Sequence, residues 1–109
     1  MNVARVYRLQ NANGIGPYHG SRHMGTAHSP DEMLRPPGHL EVWTHGPQCD
    51  GNNALYGFGS LDQLNAWFTD YDLDALSSEG FTVHTYTVAY EYIDHGLKQV
   101  RFDVRGIQA

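Results

Sequence analysis

The fold is decided by residues 56–68, Tyr-Gly-Phe-Gly-Ser-Leu-Asp-Gln-Leu-Asn-Ala-Trp-Phe, where a turn, a helix start and a large apolar face coincide. Ser60 and Gln63 have the spacing of a capping box, in which each side chain accepts a hydrogen bond from the other residue's backbone N–H. Apolar residues then recur at helical steps, namely Leu61, Leu64, Trp67 and Phe68. Burying each is worth roughly 1.5–3 kcal/mol before entropy, so we expect this helix to seed the core.

Patterns on either side of this helix predict an α+β fold. The predicted elements are a strand at 3–9, a second short helix at 73–79 with Gly80 as its left-handed C-cap, a long central strand at 81–92, a hairpin turn at 93–97 and a strand at 97–104. This order predicts a single domain over residues 1–109, in which one or two helices cover one face of a small, mainly antiparallel sheet.

Residues 18–53 are predicted to form a long irregular loop. They hold several glycines, four prolines and five of the seven histidines, and only 31–34, as a helical turn, and 39–44, as a short strand, carry an ordered pattern. Irregular segments of this size are uncommon inside small domains and tend to be functional. We therefore expect the loop to fold over one edge of the core and to supply much of a binding surface.

Composition excludes several classes of function. The formal charge of −5 argues against general nucleic-acid binding, which depends on Lys and Arg, and favours a basic partner surface. Cys49 is the only cysteine, so no internal disulfide forms, and no apolar run approaches a membrane span. We expect a cytosolic protein without a cofactor.

Metal binding and catalysis are not favoured by the histidines and carboxylates. His39, His45 and Cys49 have a spacing that zinc ligands can have, but no tight ligand pair accompanies them, so no metal site is predicted. Activation of Cys49 by a histidine needs a geometry that sequence does not show. Glu91 is a candidate general acid, with an outward strand residue as the simpler interpretation.

Aromatic residues exceed what a core of this size buries, so some are expected to line a groove for stacking on a base, a ring or a peptide. In the groove we place Arg8, to pair an anionic group, and neighbouring polar and aromatic side chains. The full predicted ligand-binding set is Tyr7, Arg8, Tyr18, His19, Tyr56, Ser60 and Tyr90.

Four segments carry a resemblance: Val-Tyr-Arg-Leu with Gly-x-Gly-Pro-Tyr after it, the 56–68 segment, Gly-Phe-Thr-Val-His-Thr-Tyr-Thr-Val, and Lys-Gln-Val-Arg-Phe-Asp. Together they resemble a group of small proteins of tailed phages and prophages, across most of the chain outside 20–53. Short phage accessory proteins of this size are frequently inhibitors of host defence, including anti-CRISPR proteins and proteins that sequester nucleotide signals. The resemblance therefore implies a similar role.

The order of elements is also similar to a reduced ADP-ribosyltransferase, with Arg8 on the first strand and Ser60 before a helix. The late catalytic Glu of such enzymes falls on Gln99, or else on Glu91 of the preceding strand. An amide at this position would remove the charge that stabilises the developing oxocarbenium. This resemblance therefore implies binding of an ADP-ribose-like ligand rather than its turnover.

The sequence thus predicts stoichiometric binding of a host defence protein or of a nucleotide-like or ADP-ribose-like signal. The alternatives are an NAD-using ADP-ribosyltransferase that employs Arg8, Ser60 and Glu91, and a structural protein of the virion whose aromatic residues pack between subunits. Homo-oligomerisation stays open.

Overall fold

The computed structural model describes residues 2–20, 38 and 41–108, which adopt the predicted α+β fold. The elements in chain order are β1 (Val3–Gln10), α1 (Pro17–Gly20), β2 (Ala54–Gly57), α2 (Leu61–Trp67), α3 (Asp70–Ser78), β3 (Thr82–Ala89), β4 (Ile93–His95) and β5 (Val100–Asp103). Short 3-10 helices occupy Gly51–Asn53, Tyr90–Tyr92 and Val104–Gly106. None of the described helices has the length and apolar character needed to cross a membrane.

The described strands form two small antiparallel sheets. One pairs β1 with β3, and the other has the order β2–β5–β4. Single bridges from Tyr7 to Phe58 and from Val88 to Ile107 connect them. The contact between β1 and β2 stays this short because β2 is only four residues long and the chain then turns into α2.

The predicted strand at 81–92 is shorter than expected. It ends at Ala89, turns through Tyr90–Tyr92 and continues as β4, where a hairpin turn was predicted. The predicted strand therefore corresponds to β3 and a 3-10 helix, and it is not central, because β3 has β1 as its only partner strand among the described residues.

The helices cover a core cluster as predicted, with one exception. The buried members are Leu9, Phe58, Leu64, Trp67, Phe68, Leu76 and Phe81. The ring of Phe58 stands 5.6 Å from that of Trp67 and 5.8 Å from that of Phe68, centroid to centroid. Leu61 is 49% exposed, because the first helical residue lies outside the covered face.

Capping residues define the ends of α2 and α3. The Gln63 N–H donates to Ser60 Oγ at 3.0 Å, as predicted, whereas the Gln63 side chain accepts from Gly59 N–H at 2.8 Å rather than from Ser60. The complete capping box lies at α3, between Thr69 and Asp72. Gly80 ends that helix with a φ of +88°, a conformation that favours glycine.

A second cluster fills the space where the two sheets meet, and its buried members are Val6, Val88, Ile93, Val100 and Phe102.

Residues 31–34, the predicted helical turn, lie outside the described residues. Of the predicted strand at 39–44, Thr44 forms a bridge with His95.

Candidate functional site

A row of polar side chains crosses the face of the β2–β5–β4 sheet that points away from the core. The register places Tyr56 of β2 opposite Arg101 of β5, and Asp94 of β4 on the other side of Arg101. Side chains alternate between faces along a strand, so the neighbours Phe102 and Ile93 point to the opposite face, where both are buried. The face that carries this row is therefore not covered by the core, and the chain segment that precedes β2 packs against it.

Asp94 anchors this row. Its Oδ2 accepts hydrogen bonds from Arg101 Nε at 3.0 Å and Nη2 at 2.7 Å, and its Oδ1 accepts from the Gly46 N–H at 2.9 Å. His45 Nδ1 lies 3.3 Å from the same Oδ1. Burial alone would raise the pKa of Asp94, but these hydrogen bonds outweigh it and hold the pKa below its usual value. Asp94 is therefore a buried carboxylate with its charge compensated.

Trp43, Tyr56 and Arg101 form an aromatic and cationic surface that we call the Trp43 platform. The Arg101 guanidinium lies 4.6 Å from the centroid of the Trp43 ring, within cation–π range. The Tyr56 ring stands 6.3 Å from Trp43 at a tilt of 48°. Trp43 Nε1 donates to the Gly38 carbonyl at 2.8 Å, which fixes the indole. Tyr56 is 42% exposed, so the platform meets solvent.

A second buried carboxylate holds the other end of the segment that carries Trp43. Asp103 Oδ2 accepts from Arg105 Nη2 at 2.6 Å and from the Asp50 N–H at 3.0 Å. Hydrogen bonding to Arg105, which outweighs burial, holds the pKa of Asp103 well below its usual range. Asp94 and Asp103 thus tie residues 43–50 to the sheet, each through one backbone N–H of that segment.

Cys49 belongs to this segment and is not an activated nucleophile. Its thiol donates to the Arg101 carbonyl at 3.9 Å, and burial, helped by the charge of Asp94, raises the pKa of Cys49 to about 11. The thiolate that nucleophilic attack requires is therefore scarce near neutral pH. Among the residues that the structure describes, no three His, Cys, Asp or Glu side chains are grouped to hold a metal ion, and His39 lies outside them.

The predicted ligand residue Arg8 is only 8% exposed. Its guanidinium donates to the Gln10 side chain at 3.2 Å, the Tyr56 carbonyl at 2.8 Å and the Gly14 carbonyl at 3.3 Å. Burial lowers the pKa of Arg8. These acceptors are neutral, and the loop between β1 and α1 lies over the guanidinium. Arg8 therefore supports the backbone at Tyr56 from the interior.

The other predicted ligand residues lie in different places. Tyr7 is half-buried against the first core cluster, Tyr18 is exposed and accepts a hydrogen bond from Trp67 Nε1 at 2.8 Å, and His19 lies in α1. Ser60 caps α2. Tyr90 is exposed near the opposite end of β1, where its N–H donates to the Asn2 carbonyl at 3.0 Å. About 20 Å of strand therefore separates Tyr90 from the level of Arg8.

The comparison with known protein families shows the family of this chain. Residues 1–109 match the family model described as Bacteriophage T4 Y00F protein. The chain belongs to the Bacteriophage T4 Y00F protein family. This membership confirms the predicted resemblance to small phage proteins and supports a phage-encoded accessory protein. Among curated proteins and solved structures, none matches the chain.

The match to the Y00F family gives no support to the resemblance to ADP-ribosyltransferases. The positions on which that resemblance depended have other roles in the fold. Ser60 Oγ accepts the hydrogen bond that caps α2, Glu91 is exposed in the 3-10 helix after β3, and Gln99 is buried before β5. We therefore discard that interpretation.

Sequence reasoning missed two members of the platform. The predicted ligand-binding set contains Tyr56 but neither Trp43 nor Arg101. The available signal was the alternation in β5, which places Arg101 and Asp103 on one face. The partners Asp94 and Trp43 come from distant segments, so no local pattern joins them to Arg101.

Proposed function

We propose that this phage protein counters a host defence in the host cytosol by stoichiometric binding, and that the Trp43 platform contacts the target. The observation that supports the proposal is the Trp43 platform, in which Tyr56 is exposed and Trp43 and Arg101 are partly buried beside it. Trp, Tyr and Arg are the residue types that contribute most to binding energy at protein interfaces. The platform is also held by the Asp94 ion pair and the indole hydrogen bond, which lowers the entropic cost of ordering it.

A host protein fits the platform better than a nucleotide signal does. Arg101 already pairs with Asp94, at 2.7 Å, and Arg8 is enclosed by neutral acceptors. Neither arginine therefore offers an uncompensated, accessible charge to a phosphate. The formal charge of −5 favours a basic partner surface, because opposite charges speed encounter and suppress wrong partners. The nucleotide-like or ADP-ribose-like ligand becomes the less favoured form of the proposal.

Phage plating tests the proposal directly. The chain is expressed in hosts that carry CRISPR or nucleotide-signalling defences and in matched hosts that lack them. We expect plating to rise only where a defence is present, and no rise in any defended host, with the protein accumulating, would contradict the proposal. Light scattering that shows a large fixed assembly would favour the virion role instead.

Substitutions then test the surface. Tyr56→Ala and Trp43→Ala are expected to weaken target binding by about thirtyfold or more each, which corresponds to about 2 kcal/mol at a binding hot spot. Tyr71→Ala is the matched control, because Tyr71 is an exposed tyrosine of α3. Calorimetric titration against the captured target measures the affinities, and circular dichroism checks the fold. Unchanged binding in both platform variants would move the contact to the remaining predicted residues, Tyr7, Tyr18, His19 and Tyr90.

A further inference from the structure

Among the residues that the structure describes, no segment pairs with the outer edge of β3 between Thr82 and Tyr86. Tyr7 opposes Thr85 in the β1–β3 register, and Tyr7 exchanges both of its backbone hydrogen bonds with Phe58, at 2.8 and 2.7 Å, on the side away from β3. Thr85 is thus in a non-hydrogen-bonded pair with Tyr7, so its N–H and C=O point away from β1, as do those of Val83. No strand among the described residues receives these groups.

The edge closes again beyond Tyr86. The Gln108 N–H donates to the Thr87 carbonyl at 2.8 Å, and Ile107 bridges Val88. Residues 106–108 therefore occupy the place that a further strand would need beside the end of β3. Five residues of β3, 82–86, therefore remain without a partner on this side in the described part of the chain, and we call them the window.

This window lacks the features that protect edge strands from pairing. Natural edges carry lysine, proline, inward charges or bulges. The window reads Thr-Val-His-Thr-Tyr, which contains residues with high strand propensity and no lysine, proline, glycine or carboxylate. Val83 is 44% exposed within it. The edge is therefore suited to accept a strand.

We propose that the window pairs with the same window of a second copy of this chain, antiparallel about a two-fold axis at His84. In this register Thr82 opposes Tyr86 of the second copy, and Val83 opposes Thr85. The four open groups of Val83 and Thr85 in each copy are then satisfied by four hydrogen bonds across the axis. An axis moved by one residue, to Thr85, would shift the register by two and place Val83 opposite Thr87 of the second copy, where Gln108 already lies.

The resulting dimer joins β1–β3 of two copies into one four-stranded sheet. Its contact is short compared with the standard interface of about 800 Å² per partner, so the dimer is weak and depends on concentration. His84 faces its own copy across the axis, with Cα atoms about 4.5 Å apart in a non-hydrogen-bonded pair. Residue 84 is therefore the position at which a charge would oppose pairing most strongly.

Sedimentation velocity of the full chain from micromolar to millimolar concentration tests the pairing. We expect a reversible dimer in the wild type and in Thr85→Ala, which keeps the N–H. Thr85→Pro removes an N–H that the monomer does not use, at an edge position that tolerates proline, and is expected to stay monomeric.

His84→Glu places two carboxylates opposite each other across the two-fold axis, and it is expected to raise the dissociation constant of the dimer at least tenfold. Within one chain the residue opposite this carboxylate is Arg8 of β1, so the substitution creates no like-charge pair between the two strands.

Thermal unfolding of each variant separates loss of pairing from loss of fold, and His84→Glu decides the matter if Thr85→Pro fails to fold. A wild type that is monomeric throughout, or a dimer that His84→Glu leaves unchanged, overturns the proposal. If the wild type is monomeric and Thr85→Pro nevertheless loses the plating effect, the edge receives a strand from a host protein, which also overturns self-pairing. Because the readout is oligomeric state, the inference is independent of the Trp43 platform.

Discussion

Gly57 lies where β2 approaches β1 most closely. A Cβ at this position would stand 2.8 Å from the Tyr7 carbonyl oxygen and 2.9 Å from Val6 Cγ1. Gly57→Ala must therefore push the strands apart, and it is expected to lower the free energy of unfolding by about 1–3 kcal/mol, as overpacking of cores does. Urea denaturation followed by circular dichroism measures the change.

Gly59→Ala is the matched control for this prediction. The nearest atoms to a Cβ at Gly59 are Val100 Cγ1 at 3.6 Å and Gln63 Oε1 at 3.7 Å, which is ordinary contact. Its free energy of unfolding is expected to change little. Equal stability of the two variants would contradict the close approach of β2 to β1.

Residues differ in how far the sequence reveals their role. Ser60 and Gly80 were predicted correctly, because a cap depends on residues only a few positions away. Arg8 was assigned to a ligand, yet its carbonyl partner at Tyr56 is 48 positions away. Alternation along a strand tells which face a side chain takes, but it does not tell what covers that face. Only the tertiary structure shows which segments cover that face, and therefore that Arg8 is buried.

At the scale of elements, two buried carboxylates help to attach the segment 43–50, together with backbone hydrogen bonds at Thr44 and Gln48. Asp94 and Asp103 have pKa values lowered in the folded protein, so their contribution to stability is complete above the unfolded value of about 3.9 and is lost progressively as pH falls from there toward the lower folded pKa values. We expect the urea midpoint to be steady from pH 7 to about 5 and to decline toward pH 3.

Asp103→Asn tests this origin of acid sensitivity. The variant is expected to be less stable at pH 7, because the Arg105 pair is lost, and to show a smaller decline on acidification. Asp74→Asn, at an exposed position of α3, is expected to follow the wild type. Urea midpoints at each pH give the comparison, and an undiminished acid decline in Asp103→Asn would exclude Asp103 as a cause.

The elements also show where sequence reasoning reached its limit. The helix at 61–67 and the strand at 3–10 were found because their periodicity is uninterrupted. Residues 93–97 were predicted as a hairpin turn, in which Asp94 and Gly96 are residue types that favour turns. In the fold, pairing with β5 places Asp94 beside Arg101, and this tertiary contact outweighs the local preference.

At the scale of the whole molecule, the two sheets and two core clusters are connected by single backbone bridges, at Tyr7 with Phe58 and at Val88 with Ile107. The first cluster and the second also share β1, which contributes Leu9 to one and Val6 to the other. Loss of either cluster therefore removes support from β1 and from the other cluster. We infer that the described fold unfolds as one cooperative unit.

The two tryptophans allow this inference to be tested, because Trp67 lies in the first cluster and Trp43 on the outer face of the second sheet. In a Trp67→Phe background only Trp43 reports by fluorescence. Adding Leu64→Ala, at a residue 1% exposed in the first cluster, is expected to cost about 2–5 kcal/mol. In a cooperative molecule the Trp43 transition moves to lower urea together with the circular dichroism transition. A Trp43 midpoint that stays in place while circular dichroism shifts would mean that the β2–β5–β4 sheet keeps its structure without the helical core.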